Sequence, residues 1–238
     1  MSANLKLFFF LKMTIVFAEL PPIEKCKLSD SACLLTTAQV AVPVFTSGMP
    51  EIGAESLDPM QIDHIIIDLA GLKADISNST VKGMKESNIT MINVDTTKMQ
   101  LLVSWECDVI MKGNYKASGH LLIIPVSGDG DITLQLYKLH IDMTTNYNIS
   151  KNDDGKDFMD LMNYKFTFDV KRIPRIDITN LFNGNKGLSD TLFTFVSQNW
   201  KLLSREFGRP MLIKPIKKVY ETLKLYLKSQ PLDDLDQN

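Results

Sequence analysis

His64, His120 and His140 are the residues best suited to acid–base or metal chemistry, yet their spacing supports neither. Each falls in a separate predicted strand, with no i, i+4 partner and no cysteine at zinc-ligand spacing. No Gly-x-Ser-x-Gly turn presents a nucleophilic serine. The acidic stretch Lys151-Asn152-Asp153-Asp154-Gly155-Lys156 has the composition of a calcium loop but not its register. With Gly155 at the loop glycine, Ser150 takes the first ligand position and Leu161 stands where a bidentate glutamate is needed, so the stretch reads as a solvated turn. Gly184-Asn185-Lys186-Gly187 precedes a helix and could cradle an anion on its N-terminus. The dinucleotide pattern also demands a parallel βαβ unit, which is missing, and an ordinary loop is the simpler reading. No metal, cofactor or catalytic residue is implied.

The cysteines and asparagines read differently because of the first residues. MSANLKLFFFLKMTIVFAEL combines a basic start at Lys6, an apolar run, and small or medium residues at Val16 and Ala18. This predicts a secretory signal over residues 1–18 and an exported domain over 19–238. The apolar run is shorter than the roughly 20 residues that span a bilayer, which disfavours stable membrane insertion. Removing Lys6 and Lys12 with no acid takes the formal net charge from −2 to −4. A mildly acidic surface without a basic stripe argues against nucleic acid and anionic membranes as partners. Cys26 and Cys33 are close enough in sequence to close a small ring, the alternative being two free thiols, and Cys107 is left over. Asn78, Asn88 and Asn148 each begin an N-x-Ser/Thr sequon, a glycan acceptor in a secreted chain.

The elements follow from periodicity. Ser29 or Asp30 caps an N-terminal helix that Gly48 and Pro50 stop, with Pro43 marking an earlier end, and residues 48–59 form an irregular link. Between Lys98 and Lys112, Met99, Leu101, Val103, Trp105, Cys107, Val109 and Met111 occupy every second position, a strand about twice the usual length. A second strand over Tyr115–Val126 is expected to turn at Gly128-Asp129-Gly130 into a third. In that third strand the apolar phase slips between Leu136 and Leu139, the mark of a β-bulge. Tyr164, Phe166, Phe168 and Val170 alternate again. From Gly187 to Lys228 the apolar residues recur at three and four, including Leu192, Val196, Trp200, Leu203 and Phe207, widened by Phe193, Phe195 and Leu202. Pro210 and Pro215 predict a kink near Gly208–Pro210, or two successive helices. The fold class is α+β, a long curved antiparallel sheet wrapped around a C-terminal helix.

A curved sheet closing on one helix encloses space that the helix fills incompletely, and such space suits an elongated apolar ligand. Burying a fifteen-carbon chain yields roughly 12 kcal/mol at about 0.8 per methylene. Subtracting at least about 4 kcal/mol for lost freedom leaves roughly micromolar affinity, so the guest must be almost wholly enclosed. The expected lining is Val103, Trp105, Val109, Phe166, Phe168, Phe193, Val196 and Trp200, with Asn199 offering either a structural bond to a sheet carbonyl or a contact to a ligand head group. Cys107 belongs to the apolar face and is expected to be a buried, unreactive thiol. Two other readings compete with a carrier: an interaction module with a solid core that engages a receptor, and an enzyme on ester or isoprenoid substrates.

Cys26 and Cys33, the link 48–59, the segment 111–134 (MKGNYKASGHLLIIPVSGDGDITL) and the run 180–200 (NLFNGNKGLSDTLFTFVSQNW) resemble the takeout and juvenile hormone binding protein family of insects. The resemblance runs over the mature chain in order. It implies a tubular lipid-binding fold and a secreted, non-catalytic carrier of terpenoid, isoprenoid or fatty acyl ligands; takeout-like proteins are linked to feeding, circadian and chemosensory physiology, and a monomer is expected. Juvenile hormone binders of the haemolymph carry a second disulfide, for which only Cys107 is available here. The resemblance is therefore closer to the takeout branch, which implies a through-tunnel and argues against juvenile hormone itself as the ligand.

Overall fold

The computed structural model describes residues 24–236; the signal expected over residues 1–18 lies outside them. Helix α1 (Ser31–Ser47) starts where Asp30 accepts hydrogen bonds from the backbone N–H groups of Ala32 and Cys33, at 3.1 and 3.0 Å. It runs through Pro43 and ends at Gly48. The link that follows is less irregular than expected, since Pro50–Ile52 forms a 3-10 turn closed by a bridge between Met49 and Ala54.

Seven strands then form one sheet: β1 (Met60–Leu69), β2 (Leu72–Lys82), β3 (Asn88–Asp95), β4 (Gln100–Leu121), β5 (Ile124–Lys151), β6 (Asp157–Val170) and β7 (Arg175–Ile178). The path is β1-β2-β4-β5-β6, with β3 added to β4 and β7 added to β5, all antiparallel. Its spine is the β4–β5 hairpin, of 22 and 28 residues. β2 pairs with β4 from Ile110 to Gly119, and β3 takes the same edge from Gln100 to Glu106. β7 and β6 likewise share one edge of β5 end to end.

The hairpin corrects two sequence boundaries. The strands expected over Lys98–Lys112 and Tyr115–Val126 are one strand, which starts after Met99, a residue in the left-handed region at φ 52°. The turn lies not at Gly128–Gly130 but at Leu122-Ile123, between the paired Leu121 and Ile124. Gly128 and Gly130 sit inside β5, opposite Ala117 and Tyr115. They serve close approach rather than turning: a Cβ on Gly130 would lie 2.6 Å from Thr179 Oγ1, and one on Gly128 2.9 Å from the Asn180 carbonyl oxygen. The expected bulge is present. The β4–β5 register shifts between Cys107 and Val109, Lys138 takes φ 53°, and its N–H donates to Asp108 Oδ1 at 2.7 Å. The inward face therefore passes from Ile132 and Leu134 to Leu139, Ile141 and Met143, all buried.

A 3-10 turn (Phe182–Gly184) leads to α2 (Lys186–Gln198), α3 (Trp200–Ser229) and the short α4 (Leu232–Leu235). The interruption falls at Asn199 (φ −114°, ψ 15°), not at Gly208–Pro210. Asn199 holds the break by directing both its backbone N–H and its Nδ2 to the Phe195 carbonyl, at 3.0 and 2.9 Å. Pro210 and Pro215 are absorbed within α3. Leu202, expected to widen the apolar stripe, points to solvent at 45% exposure. α3 packs against both β1 and β6, the two ends of the strand path, so the sheet curls around it and the helix closes the gap.

At the other end of the chain Cys26 and Cys33 form a disulfide. The Cys26 N–H donates to the Leu235 carbonyl at 3.1 Å, tying the N-terminal segment to the C-terminal one. Because Asp30 supplies the side-chain cap of α1, Asp30→Ala should destabilise the protein by about 1 kcal/mol, with Asp30→Asn within a few tenths of wild type. Urea unfolding followed by circular dichroism measures both, and an unchanged midpoint for Asp30→Ala would contradict the capping assignment.

Candidate functional site: an apolar tunnel

The inside of the rolled sheet is not filled. Between α1, β3, β4 and the C-terminal half of α3 lies a cavity of about 210 Å³, and around the N-terminal half of α3 lies another of about 230 Å³. A third, of about 50 Å³, sits between them. Both large spaces exceed the about 150 Å³ at which an engineered apolar cavity in another protein stays dry and accepts benzene.

The three spaces follow one another along α3. The helix lines the second from Trp200 to Leu212, the third from Met211 to Val219 and the first from Val219 to Leu227. From Trp200 to Leu227 that is about 40 Å at 1.5 Å per residue. Met84, Trp105 and Val219 are common to the first and third cavities; Leu134, Leu136, Met211 and Leu212 are common to the third and second. These two side-chain collars separate three apolar cavities that lie end to end along α3, together an apolar tunnel in segments. A solid core, the condition for the interaction-module reading, is not what the chain builds.

The expected lining residues are distributed along this tunnel. Val103 and Trp105 face the first cavity, Trp105 and Val109 the third, and Phe168, Phe193, Val196 and Trp200 the second. Phe166 and Asn199 line none of them. The Phe166 ring lies under the Arg209 guanidinium, 4.6 Å from its centroid, and the Phe166 carbonyl accepts from Arg209 Nη1 at 3.2 Å. Phe166 thus seats α3 on the sheet. Asn199 is spent on its own helix through Phe195, so its bond is structural but goes to a helix carbonyl rather than a sheet carbonyl.

Several walls were not assigned from sequence, among them β1, β2 and β7 around the second cavity. The α1 face of Thr37, Ala38, Ala41, Val42 and Phe45 closes the first cavity, together with Leu223 and Tyr226 of α3. The 37, 41, 45 and 38, 42 spacings carry the helical signal for that wall.

The ionisable groups that reach the interior are neutral ones. Burial, with a smaller contribution from the Asp108 carboxylate, pushes the Cys107 thiol up to about 12, and burial pushes Tyr226 up to about 12. The histidines lie elsewhere. His64 Nδ1 is 2.9 Å from Asp75 Oδ1 on exposed strand surface, and His120 is exposed at the end of β4. His140 Nε2 is 3.1 Å from Asp142 Oδ1, an atom that also accepts from Ser104 Oγ at 2.7 Å. In that trio the serine donates to the aspartate rather than the histidine, so no nucleophile–base pair exists. No group of metal-ligating side chains occurs among the described residues, and none of their helices is long and apolar enough to cross a membrane.

An antiparallel sheet rolled about a helix, with an apolar tunnel between them, is the tubular lipid-binding fold, and the class of protein it defines is a carrier of hydrophobic molecules. The comparisons agree. Residues 5–235 match the model of the haemolymph juvenile hormone binding protein (JHBP) family. The crystal structure of takeout 1 from Epiphyas postvittana superposes with a TM-score of 0.88 at 38% identity, covering 91% of this chain and all of that one. The circadian clock-controlled protein daywake of Drosophila melanogaster is 29% identical over 77% of this chain and 75% of its own. The juvenile hormone-binding protein of Manduca sexta is 28% identical over 36% of this chain and 39% of its own.

The chain belongs to the takeout/juvenile hormone binding protein family, whose members are ligand-binding carriers rather than enzymes.

The tunnel geometry makes a statement about Cys107. At 4% exposure and with its pKa raised far above 8, the thiol should resist alkylation in the native protein at pH 8 and react only as the chain unfolds. Labelling with a maleimide, timed by mass spectrometry with and without urea, measures this. Native-state labelling as fast as that in urea would contradict the burial.

Proposed function

We propose that this protein is a secreted, monomeric carrier that holds one elongated apolar ligand along α3, of terpenoid, isoprenoid or fatty acyl type, in hormone or chemosensory signalling. The observation that carries the proposal is the succession of three apolar cavities along a single helix, joined by shared side chains rather than by packed layers. Val103, Trp105, Val109, Phe168, Phe193, Val196 and Trp200 are the contacts assigned to the ligand. Removal of residues 1–18 leaves the domain 19–238. The Cys26–Cys33 bridge is consistent with an oxidising compartment. The side chains of Asn78, Asn88 and Asn148 are exposed, which suits them to carry glycans outside the cell.

Enclosure explains why the cavity walls are apolar throughout. A chain lipid gains about 0.8 kcal/mol per buried methylene, and micromolar affinity needs most of its length out of water. Native mass spectrometry and organic extraction of the protein secreted from insect cells test the reading. An apolar passenger at one per chain is expected, along with uptake of the dye N-phenyl-1-naphthylamine by the stripped protein. Val196→Trp, which fills the second cavity from a half-buried position, should reduce dye uptake several-fold while leaving the circular dichroism spectrum unchanged. A protein that carries no passenger and takes up no dye would end the carrier proposal.

A further inference from the structure

The polar groups facing the tunnel are few and uncharged. Hydroxyls come from Thr37, Thr46, Ser87 and Tyr226 in the first cavity and from Tyr115 and Ser204 in the second, while the third is reached by the Cys107 thiol. Trp105 and Trp200 add neutral indole N–H groups. Among the described residues, no Asp, Glu, Lys, Arg or His lines any of the three spaces. Lys201 lies over the Trp200 ring, 5.6 Å from its centroid, and four other cations of α3 have partners outside the tunnel. Lys218 meets Glu55, Lys224 meets Asp160 at 3.4 Å, Lys217 meets Glu221 at 3.5 Å, and Arg209 caps Phe166.

A carboxylate drawn into such a space would lose its hydration with no cation to replace it. The penalty is so large that a buried acid takes up a proton instead. The protein's own interior groups do not titrate over the working range. Cys107 and Tyr226 are pushed up to about 12, and burial with the Asp129 charge raises Tyr115 above its usual 10.0. Any dependence of binding on pH between 5 and 8 that arises inside the tunnel therefore belongs to the ligand.

The hydroxyls are not equally available. Thr46 Oγ1 donates to the Val42 carbonyl at 2.8 Å, Ser87 Oγ to the Met84 carbonyl at 2.6 Å and Tyr115 Oη to the Thr179 carbonyl at 2.8 Å. Thr37 is different. It is 8% exposed, lines the first cavity, and its hydroxyl lies 3.5 Å from Cys26 Sγ, a disulfide sulfur that has no proton to give and accepts weakly. A buried hydroxyl with so poor a partner gains by turning to a ligand oxygen.

Resting on the carrier reading, we infer that the tunnel takes uncharged chain lipids, alcohols, ketones or esters, in preference to free carboxylates, and that Thr37 receives their polar oxygen. The carboxyl group enters only in its neutral form. Acid binding is therefore strongest below the acid's own pKa of about 4–5 and falls about tenfold for each pH unit above it.

Displacement of N-phenyl-1-naphthylamine by dodecanol, methyl dodecanoate and dodecanoic acid, each titrated at pH 5, 6, 7 and 8, tests this. The alcohol and ester should displace the dye equally at every pH. The acid should match them most nearly at pH 5 and be at least about a hundredfold weaker at pH 8. Thr37→Val should weaken the alcohol and ester about five- to tenfold, each referred to the variant's own affinity for the dye. Displacement by the acid as strong as by the ester at pH 8, without a pH slope, would overturn the inference and leave the carrier reading standing. Unchanged alcohol and ester binding in Thr37→Val would overturn the assignment of Thr37. Absence of dye uptake together with no binding of any of the three would overturn both this inference and the carrier reading.

Discussion

Everything in this molecule depends on how one helix covers a sheet too large for it. The inner faces of β4 and β5 stay apolar for most of 22 and 28 residues, and that surface cannot be left to water. A flat sheet of this length would need a second layer of equal area. Curling until β1 and β6 both touch α3 removes the apolar face with a single helix, but a cylinder about 10 Å wide cannot fill the space so enclosed. Large residues plug the middle, where Trp105, Met211 and Leu212 meet across a small residual gap. Toward each end the gap widens into a cavity. The tunnel is thus a geometric consequence of the fold rather than an addition to it.

Three local features make the curl feasible. The bulge at Lys138 moves the inward face from even to odd positions along β5, so both halves of a bent strand present apolar residues to the same helix. Gly128 and Gly130 let β5 pass close beneath the 179–181 segment, where a larger side chain would force the chains apart. Asn199 lets α2 and α3 change direction without losing the Phe195 carbonyl as an acceptor. At the first cavity, α1 takes the place of further strands. It is held there by its Asp30 cap and by the disulfide segment, which is tied in turn to Leu235.

Much of this was legible in residue order because alternation is a strong signal over long strands. The run from Leu101 to Met111 marked a long strand with one apolar face, and the slip between Leu136 and Leu139 located the bulge. Turn chemistry misled where glycine served another purpose. Gly128-Asp129-Gly130 has the composition of a turn, whereas the true turn, Leu122-Ile123, has the composition of a strand, and only pairing across the sheet distinguishes them. Helix punctuation misled in the same way: prolines mark a missing donor but not whether packing tolerates it, and α3 runs through both. For the tunnel, alternation could put Val103 and Trp105 on one apolar face but could not say that this face lines the cavities, nor that Phe166 would be covered by Arg209. The α1 wall stayed unassigned because its spacing marks a helical face but not the distant strands and α3 residues that the face meets.

Membership of the takeout/juvenile hormone binding protein family and the succession of apolar cavities along α3 rest on separate observations, and they point to the same activity. The central claim is that the enclosed space holds a guest rather than collapsing. It is tested most directly by an electron-density map of the protein purified from secretion without delipidation. The account requires elongated density beside α3, running between Trp200 and Leu227 and passing the Trp105 collar. Side chains rotated inward to fill both large cavities, with no density left for another molecule, would contradict it.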